Sequence, residues 1–237
     1  ILLYLLLIFL VVDILRFTGV IPRTIMHGNW IALGALAGFM ALVFIGGYLN
    51  YNHKRRVELN IDIDKKMENV HDIKIVAVSD LHLGYGIGMA EFGTWIKLIN
   101  DENPDIVLIA GDLIDTDVRP LIERNIAPMF SGIKSRYGTY LAFGNHEFIS
   151  GSEKSSEFLK QTGVTVLRDS AVLINESFYV LGRDDRTNSK RKPLEALTAG
   201  LDNTKPILVM DHQPYHLEEA EKAGVDLQFS GQKHRGQ

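Results

Sequence analysis

Two kinds of apolar pattern follow one another along the chain. The first is unbroken. Ile1 to Val12 is wholly apolar, and Ile31 to Leu49 is an uncharged stretch of 19 residues with Trp30 before it and Tyr48 near its end. About 20 apolar residues in a helix cross the roughly 30 Å hydrocarbon core of a bilayer, and aromatic residues favour its borders. Residues 1–50 are therefore expected to form a transmembrane region of two spans, with a charged connector over 51–72. A signal peptide has a basic start and a shorter apolar core, unlike an internal stretch followed by His53-Lys54-Arg55-Arg56. The chain opens on Ile in mid-run, so the first span reads as the remnant of a longer helix.

The second pattern is intermittent. Val57 to Ile63 alternates apolar and polar residues, as a half-exposed strand does. Short β-branched or apolar runs then recur at Ile73–Val78, Ile106–Ala110, Tyr140–Phe143, Val164–Leu167, Ala171–Ile174, Phe178–Leu181, Ile207–Met210 and Val225–Phe229. Helix-compatible stretches separate many of them: Met89–Asn100 with Phe92, Trp95, Ile96 and Ile99 at helical spacing, then Pro120–Phe130, Glu153–Thr162 and Leu217–Ala223. This alternation predicts βαβ units in a mixed α/β core, with two sheets packed face to face and helices outside.

Composition changes the picture at three points. A net charge of −4 without a long basic stripe argues against a nucleic-acid partner. The absence of Cys excludes disulfides, thiolate catalysis and Cys-based zinc sites, but it leaves the compartment open. Lys54, Arg55, Arg56, Lys65 and Lys66 outnumber Arg16 and Arg23, which by the positive-inside rule favours a cytoplasmic soluble domain on an integral membrane anchor.

The candidate chemistry lies where the apolar runs end. Ser79-Asp80-Leu81-His82, Gly111-Asp112, Gly144-Asn145-His146-Glu147, Asp211-His212 and Gly231-Gln232-Lys233-His234 each follow a predicted strand. On an extended strand end, Asp80 and His82 would share one face. Asp112 lies one crossover away, at the sheet edge where ligands of open α/β folds bind, and its carboxylate could bridge two metals. Oxygen-rich, nitrogen-containing ligation without sulfur fits Mn, Fe or Zn. Two divalent ions about 3.5–4 Å apart would hold a phosphate and activate a bridging water for in-line attack. His146 would steady the phosphate or protonate the leaving oxygen. Taken singly, each cluster has a commonplace explanation as a solvated turn, a loop start or a structural histidine; their joint order is what points to one site.

That order resembles the calcineurin-like metallophosphoesterase superfamily. Ser79-Asp80-Leu81-His82-Leu83-Gly84 and Ser230-Gly231-x-x-His234-x-Gly236-Gln237 are most similar to its membrane-associated bacterial branch. The resemblance covers about Ile73 to Gln237 and implies a four-layer α/β/β/α sandwich, with a metallophosphoesterase domain over 73–237. It also implies two divalent metal ions: Asp80, His82 and His234 on the first, Asp112 bridging, Asn145 and His212 on the second, and His146 as general acid. The pattern departs at Gln232, which stands where a histidine ligand of the second metal is expected. A Gln oxygen is a poorer partner than imidazole for zinc-like ions, so this position is expected to weaken the second site. The chain stops where a final strand is expected, and both ends read as cut short.

The function expected is a membrane-anchored phosphoesterase acting on a phosphomonoester, a phosphodiester or a lipid-linked pyrophosphate. The alternative is a catalytically impaired, membrane-anchored domain that binds metal or phosphate, with Gln232 as the cause. A membrane sensor or transporter fragment would explain the spans and none of the five clusters. Three other segments receive plainer readings: Lys233 and Arg183-Asp184-Asp185-Arg186 as solvated, the latter rather than the rim of an anion pocket, and Lys190-Arg191-Lys192 as a charged turn rather than a lipid-headgroup contact. Asp211 is left out of the site because neighbours on a strand point to opposite faces.

Overall fold

In the computed structural model, which describes residues 2–22 and 30–233, the chain divides into two units, Ile1–Ile61 and Asp62–Gln237. The first unit contains α1 (Leu2–Phe17) and α2 (Trp30–Asn52). Among the described residues, α2 is the helix long and apolar enough to cross a membrane, at 23 residues. α1 has 16 residues and carries Asp13 and Arg16, paired at 3.4 Å. Tyr4 and Phe44 meet edge to face, which brings the two helices into contact. The strand expected over Val57–Ile63 does not form. Val57 and Leu59 are each 75% exposed, and alternation alone does not make a strand where no neighbouring strand takes up its backbone hydrogen bonds.

The second unit opens with β1 (Ile75–Val78), α3 (Met89–Asp101) and β2 (Ile106–Ala110). The expected Pro120–Phe130 helix is instead α4 (Arg119–Glu123) and a 3₁₀ turn, Ala127–Gly132, separated at Asn125, whose φ is +50°. Then come β3 (Thr139–Ala142), α5 (Asn145–Ile149), α6 (Ser152–Leu159), β4 (Thr165–Leu167), β5 (Ser170–Ile174) and β6 (Phe178–Gly182). The described part closes with α7 (Leu194–Thr198), β7 (Ile207–Met210), α8 (Leu217–Lys222) and β8 (Leu227–Phe229). The first sheet, β1-β2-β3-β4, is wholly parallel; the second, β5-β6-β7-β8, has one antiparallel pair, β5 with β6.

Period-two alternation within these strands assigns every layer. In β2, Ile106, Leu108 and Ala110 point into a shared core with Phe178 and Val180 of β6 and Leu208 and Met210 of β7. Their neighbours Val107 and Ile109 face the other way, against Phe92, Ile96 and Ile99 of α3. On the second sheet, Leu181, Ile207 and Val209 turn outward beneath Leu194 of α7 and Ala220 of α8. The order is helix, sheet, sheet, helix, the four-layer sandwich. A strand buried on both faces reads as a continuous apolar run, which is why β2 and β7 stood out in the sequence with the boundaries they have in the fold.

Phe178, 1% exposed, fills the space between the sheets. Phe178→Ala is expected to cost about 3–5 kcal/mol of stability, read by denaturant unfolding; a loss below 1 kcal/mol would contradict the face-to-face packing.

Candidate metal centre

The loops leaving the strands continue the sheet's pairing for a few residues. Asp80 N–H donates to the Gly111 carbonyl (3.1 Å), His82 N–H to Asp112 (3.0 Å) and Leu83 N–H to Leu113 (2.8 Å). Contrary to expectation, Asp80 and His82 do not sit on an extended strand end. Both are left-handed, with φ of +54° and +45°, and so is Asp112 at +53°. For residues other than glycine this conformation is strained and persists only where surrounding contacts impose it, a condition concentrated at functional sites.

Asp112, 1% exposed, is the hub. Its Oδ2 lies 3.0 Å from His212 Nε2 and 4.0 Å from His82 Nε2, and its Oδ1 accepts the His146 N–H at 2.9 Å. Burial works to raise its pKa, but His212 and the His146 N–H outweigh that and hold it below the usual carboxylate range. Two groups of donor atoms each lie within 4.8 Å of one another, Asp80 with Asp112 and His212, and His82 with Asp112 and His146. Asp112 belongs to both. Two glycines make the approach possible: a Cβ on Gly111, whose φ is +82°, would lie 2.7 Å from the His212 ring, and one on Gly144 would collide with the Asp112 carboxylate.

The donor atoms fit a cation. His212 Nδ1 faces the Ala110 carbonyl at 2.8 Å and carries a proton there, so in the neutral ring it is Nε2 that turns a lone pair toward a carboxylate oxygen. Asn145 Oδ1 and Gln232 Oε1 are likewise buried acceptors without a hydrogen-bond partner. An imidazole nitrogen 3.0 Å from a carboxylate oxygen calls for a proton or a metal between them. Gln232 enters through its backbone, donating its N–H to Asp80 at 3.1 and 3.2 Å, with φ at +67°. Lys233 is exposed, as expected, and His234 lies outside the described residues.

Residues 73–236 match the family model described as calcineurin-like phosphoesterase. The chain belongs to that family. A transmembrane protein with metallophosphoesterase domain from Danio rerio is 30% identical over 196 residues, covering 76% of this chain and 44% of that protein. An uncharacterized metallophosphoesterase of Aquifex aeolicus is 31% identical over 201 residues, covering 82% of this chain and 76% of that one. Among solved structures, the 5'-nucleotidase precursor from Thermus thermophilus matches with a TM-score of 0.46 at 20% identity, over 68% of this chain and 42% of that chain. This chain thus spans under half of the Danio rerio relative.

The phosphoesterase domain uses two carboxylates that sequence reasoning missed. Glu147, fully buried, accepts the N–H groups of Gly144 (2.7 Å), Ile114 (2.9 Å) and Asp112 (3.0 Å), so it ties the loop after β2 to the loop after β3. Burial pushes its pKa up to about 7 against those three bonds. Asp115 Oδ1 lies 3.3 Å from His146 Nδ1 and 3.8 Å from His82 Nδ1, while the two imidazole rings stand edge to face at 4.4 Å. Glu147 had a visible signal, an acid three residues after Gly144 at a helix start. Asp115 had none in the local pattern.

The second sheet also corrects an expectation. Arg183, Asp184 and Asp185 are not solvated but 5%, 2% and 1% exposed. Arg183 reaches Asp211 (3.2 Å) and Glu219 (2.8 Å), and Arg168 forks onto Asp184 (3.1 and 2.8 Å) while lying 4.4 Å over the Phe143 ring. Arg191 of the supposed charged turn also reaches Asp211, at 3.4 Å. Partners distant in sequence turn a charge run that reads as solvated into a buried network.

Two outcomes are expected for the phosphoesterase domain. Glu147→Gln places an amide NH₂ against at least one backbone donor and should lower stability by about 1–3 kcal/mol, read by denaturant unfolding; no loss would deny Glu147 its clamping role. Burial pushes His212 down, but the Asp112 carboxylate lifts its pKa from 6.5 to about 9. A pKa raised on folding adds stability that is complete below about pH 6.5 and lost as pH rises through about 9. In chelator, unfolding curves should show that decline, and saturating Mn should remove it by taking the proton's place. A flat profile in chelator would rule out the pairing.

Proposed function

We propose that this chain is a membrane-anchored, metal-dependent phosphoesterase, hydrolysing a phosphomonoester, a phosphodiester or a lipid-linked pyrophosphate. The observation that carries this is the pair of donor groups sharing Asp112, together with membership of the calcineurin-like family. In this proposal Asp80, His82, Asp112, Asn145 and His212 hold two divalent ions, with Gln232 at the edge of the second and His234 completing the first. The ions, when bound, supply Lewis acidity toward phosphorus and lower the pKa of water. His146, with Asp115 3.3 Å from its Nδ1, would steady the phosphate or protonate the leaving oxygen. Glu147 keeps the loops carrying Asp112 and Asn145 in register. α2 serves as the anchor, and the basic residues Lys54, Arg55 and Arg56 put the domain on the cytoplasmic side.

Gln232 supports a second reading, a domain that binds metal or phosphate and turns over poorly. Its Oε1 is buried without a partner, and an amide oxygen there would take a hard cation but hold a zinc-like ion less tightly than imidazole does.

Hydrolysis of a generic phosphodiester, a phosphomonoester and a lipid-linked pyrophosphate should require added Mn or a similar ion. Asp112→Ala should lower turnover by a factor on the order of 10³ or more. Turnover that survives both chelation and Asp112→Ala would refute the mechanism. Gln232→His should bind a zinc-like second ion more tightly; a large accompanying gain in turnover would favour the impaired reading over the competent one.

A further inference from the structure

A cavity of about 430 Å³ opens between α7, α8 and the loop after β6, lined by Arg183, Arg186, Arg191, Lys192, Glu195 and Glu219 among others. It shares no lining residue with the metal centre. We infer that this cavity is a second anion site, built for a phosphate-bearing ligand.

Its charge and its unmet donors carry the inference. Four cations face two carboxylates across the lining, and one of those carboxylates, Glu219, is already held by Arg183. Arg183, a buried cation of the lining, gives its two terminal nitrogens to Asp211 and Glu219. Arg191 meets Asp211 only through contacts of 3.4 and 3.5 Å, its shorter bond of 3.0 Å going to the Asp184 carbonyl. At the mouth, Arg186 lies 5.2 Å from the Tyr215 ring centre and meets no carboxylate, and Lys192 meets none through its ammonium, among the described residues.

Three guanidinium groups and an ammonium lining one cavity suit the oxygens of a phosphate. The volume exceeds that of a bare phosphate ion and leaves room for a further group on the ligand. That chemistry is shared by a soluble phosphate monoester and by the diester headgroup of an anionic lipid.

The test is a calorimetric titration of the full chain in detergent, stripped of metal and freed of chelator so that the metal centre cannot hold the probe. Its result is therefore independent of whether that centre hydrolyses anything. The probes are glycerol 3-phosphate, a monoester, and glycerophosphoglycerol, a diester. Saturable binding is expected, weakened about tenfold or more by Arg186→Gln with Lys192→Gln and strengthened by Glu195→Gln, which removes a like charge from the lining. Arg186 and Lys192 are exposed, so the double variant should melt like the parent. Tighter binding of the diester assigns a lipid headgroup, and tighter binding of glycerol 3-phosphate a soluble monoester. No binding of either probe, or binding unmoved by all three substitutions, overturns the proposal.

Discussion

The close approach of β2 and β7 at their carboxyl ends is the constraint on which the rest depends. His212 donates from Nδ1 to the carbonyl of Ala110 at 2.8 Å, crossing from one sheet to the other. That bond requires Gly111, because any side chain there would enter the imidazole ring. With the ring so fixed, Nε2 faces Asp112, and a donor cluster forms where two sheets meet rather than along one. A hydrophobic interlayer, Leu108 and Ala110 against Leu208 and Met210, holds the two strands at the distance the bond needs.

Neighbouring residues on β7's extension show how one strand end serves two environments. His212 turns toward the metal centre. Asp211, beside it, turns the other way and is gripped by Arg183 and Arg191. Burial raises the Asp211 pKa, with the two guanidinium groups working against it. A buried carboxylate without those partners would be strongly destabilising, so the network behind the sheet is the condition for placing His212 in front of it. The anion cavity is bounded by the same arginines, which makes the back of this strand end a charged surface in its own right.

The donor cluster is mostly electronegative, and its local geometry is strained. Asp80, His82 and Asp112 all sit in left-handed backbone conformations. Hydrogen bonds between the two loops and the Glu147 clamp hold them there. Preorganisation of this kind means that little of a cation's binding energy is spent in ordering its ligands.

Much of this architecture was legible from local pattern. Continuous apolar runs marked β2 and β7, the 3.6 period marked α3, and polar clusters at run ends marked Asp80, His82, Asp112, Asn145, His146 and His212, because strand and helix periodicities are short-range properties of the chain. Other features depended on residues far apart in sequence. The left-handed turns, the role of Asp115 beside His146, the three-way bond of Glu147 and the burial of Arg183, Asp184 and Asp185 follow from which loops the sheets bring together. The alternation at Val57–Ile63 misled for the same reason, since a strand needs a neighbour and none forms there. Sequence by itself determined most of the strands and helices, the apolar helix and which residues are candidate donors; only tertiary structure decided their angles, partners and burial, because those energies arise between segments that local sequence cannot place side by side.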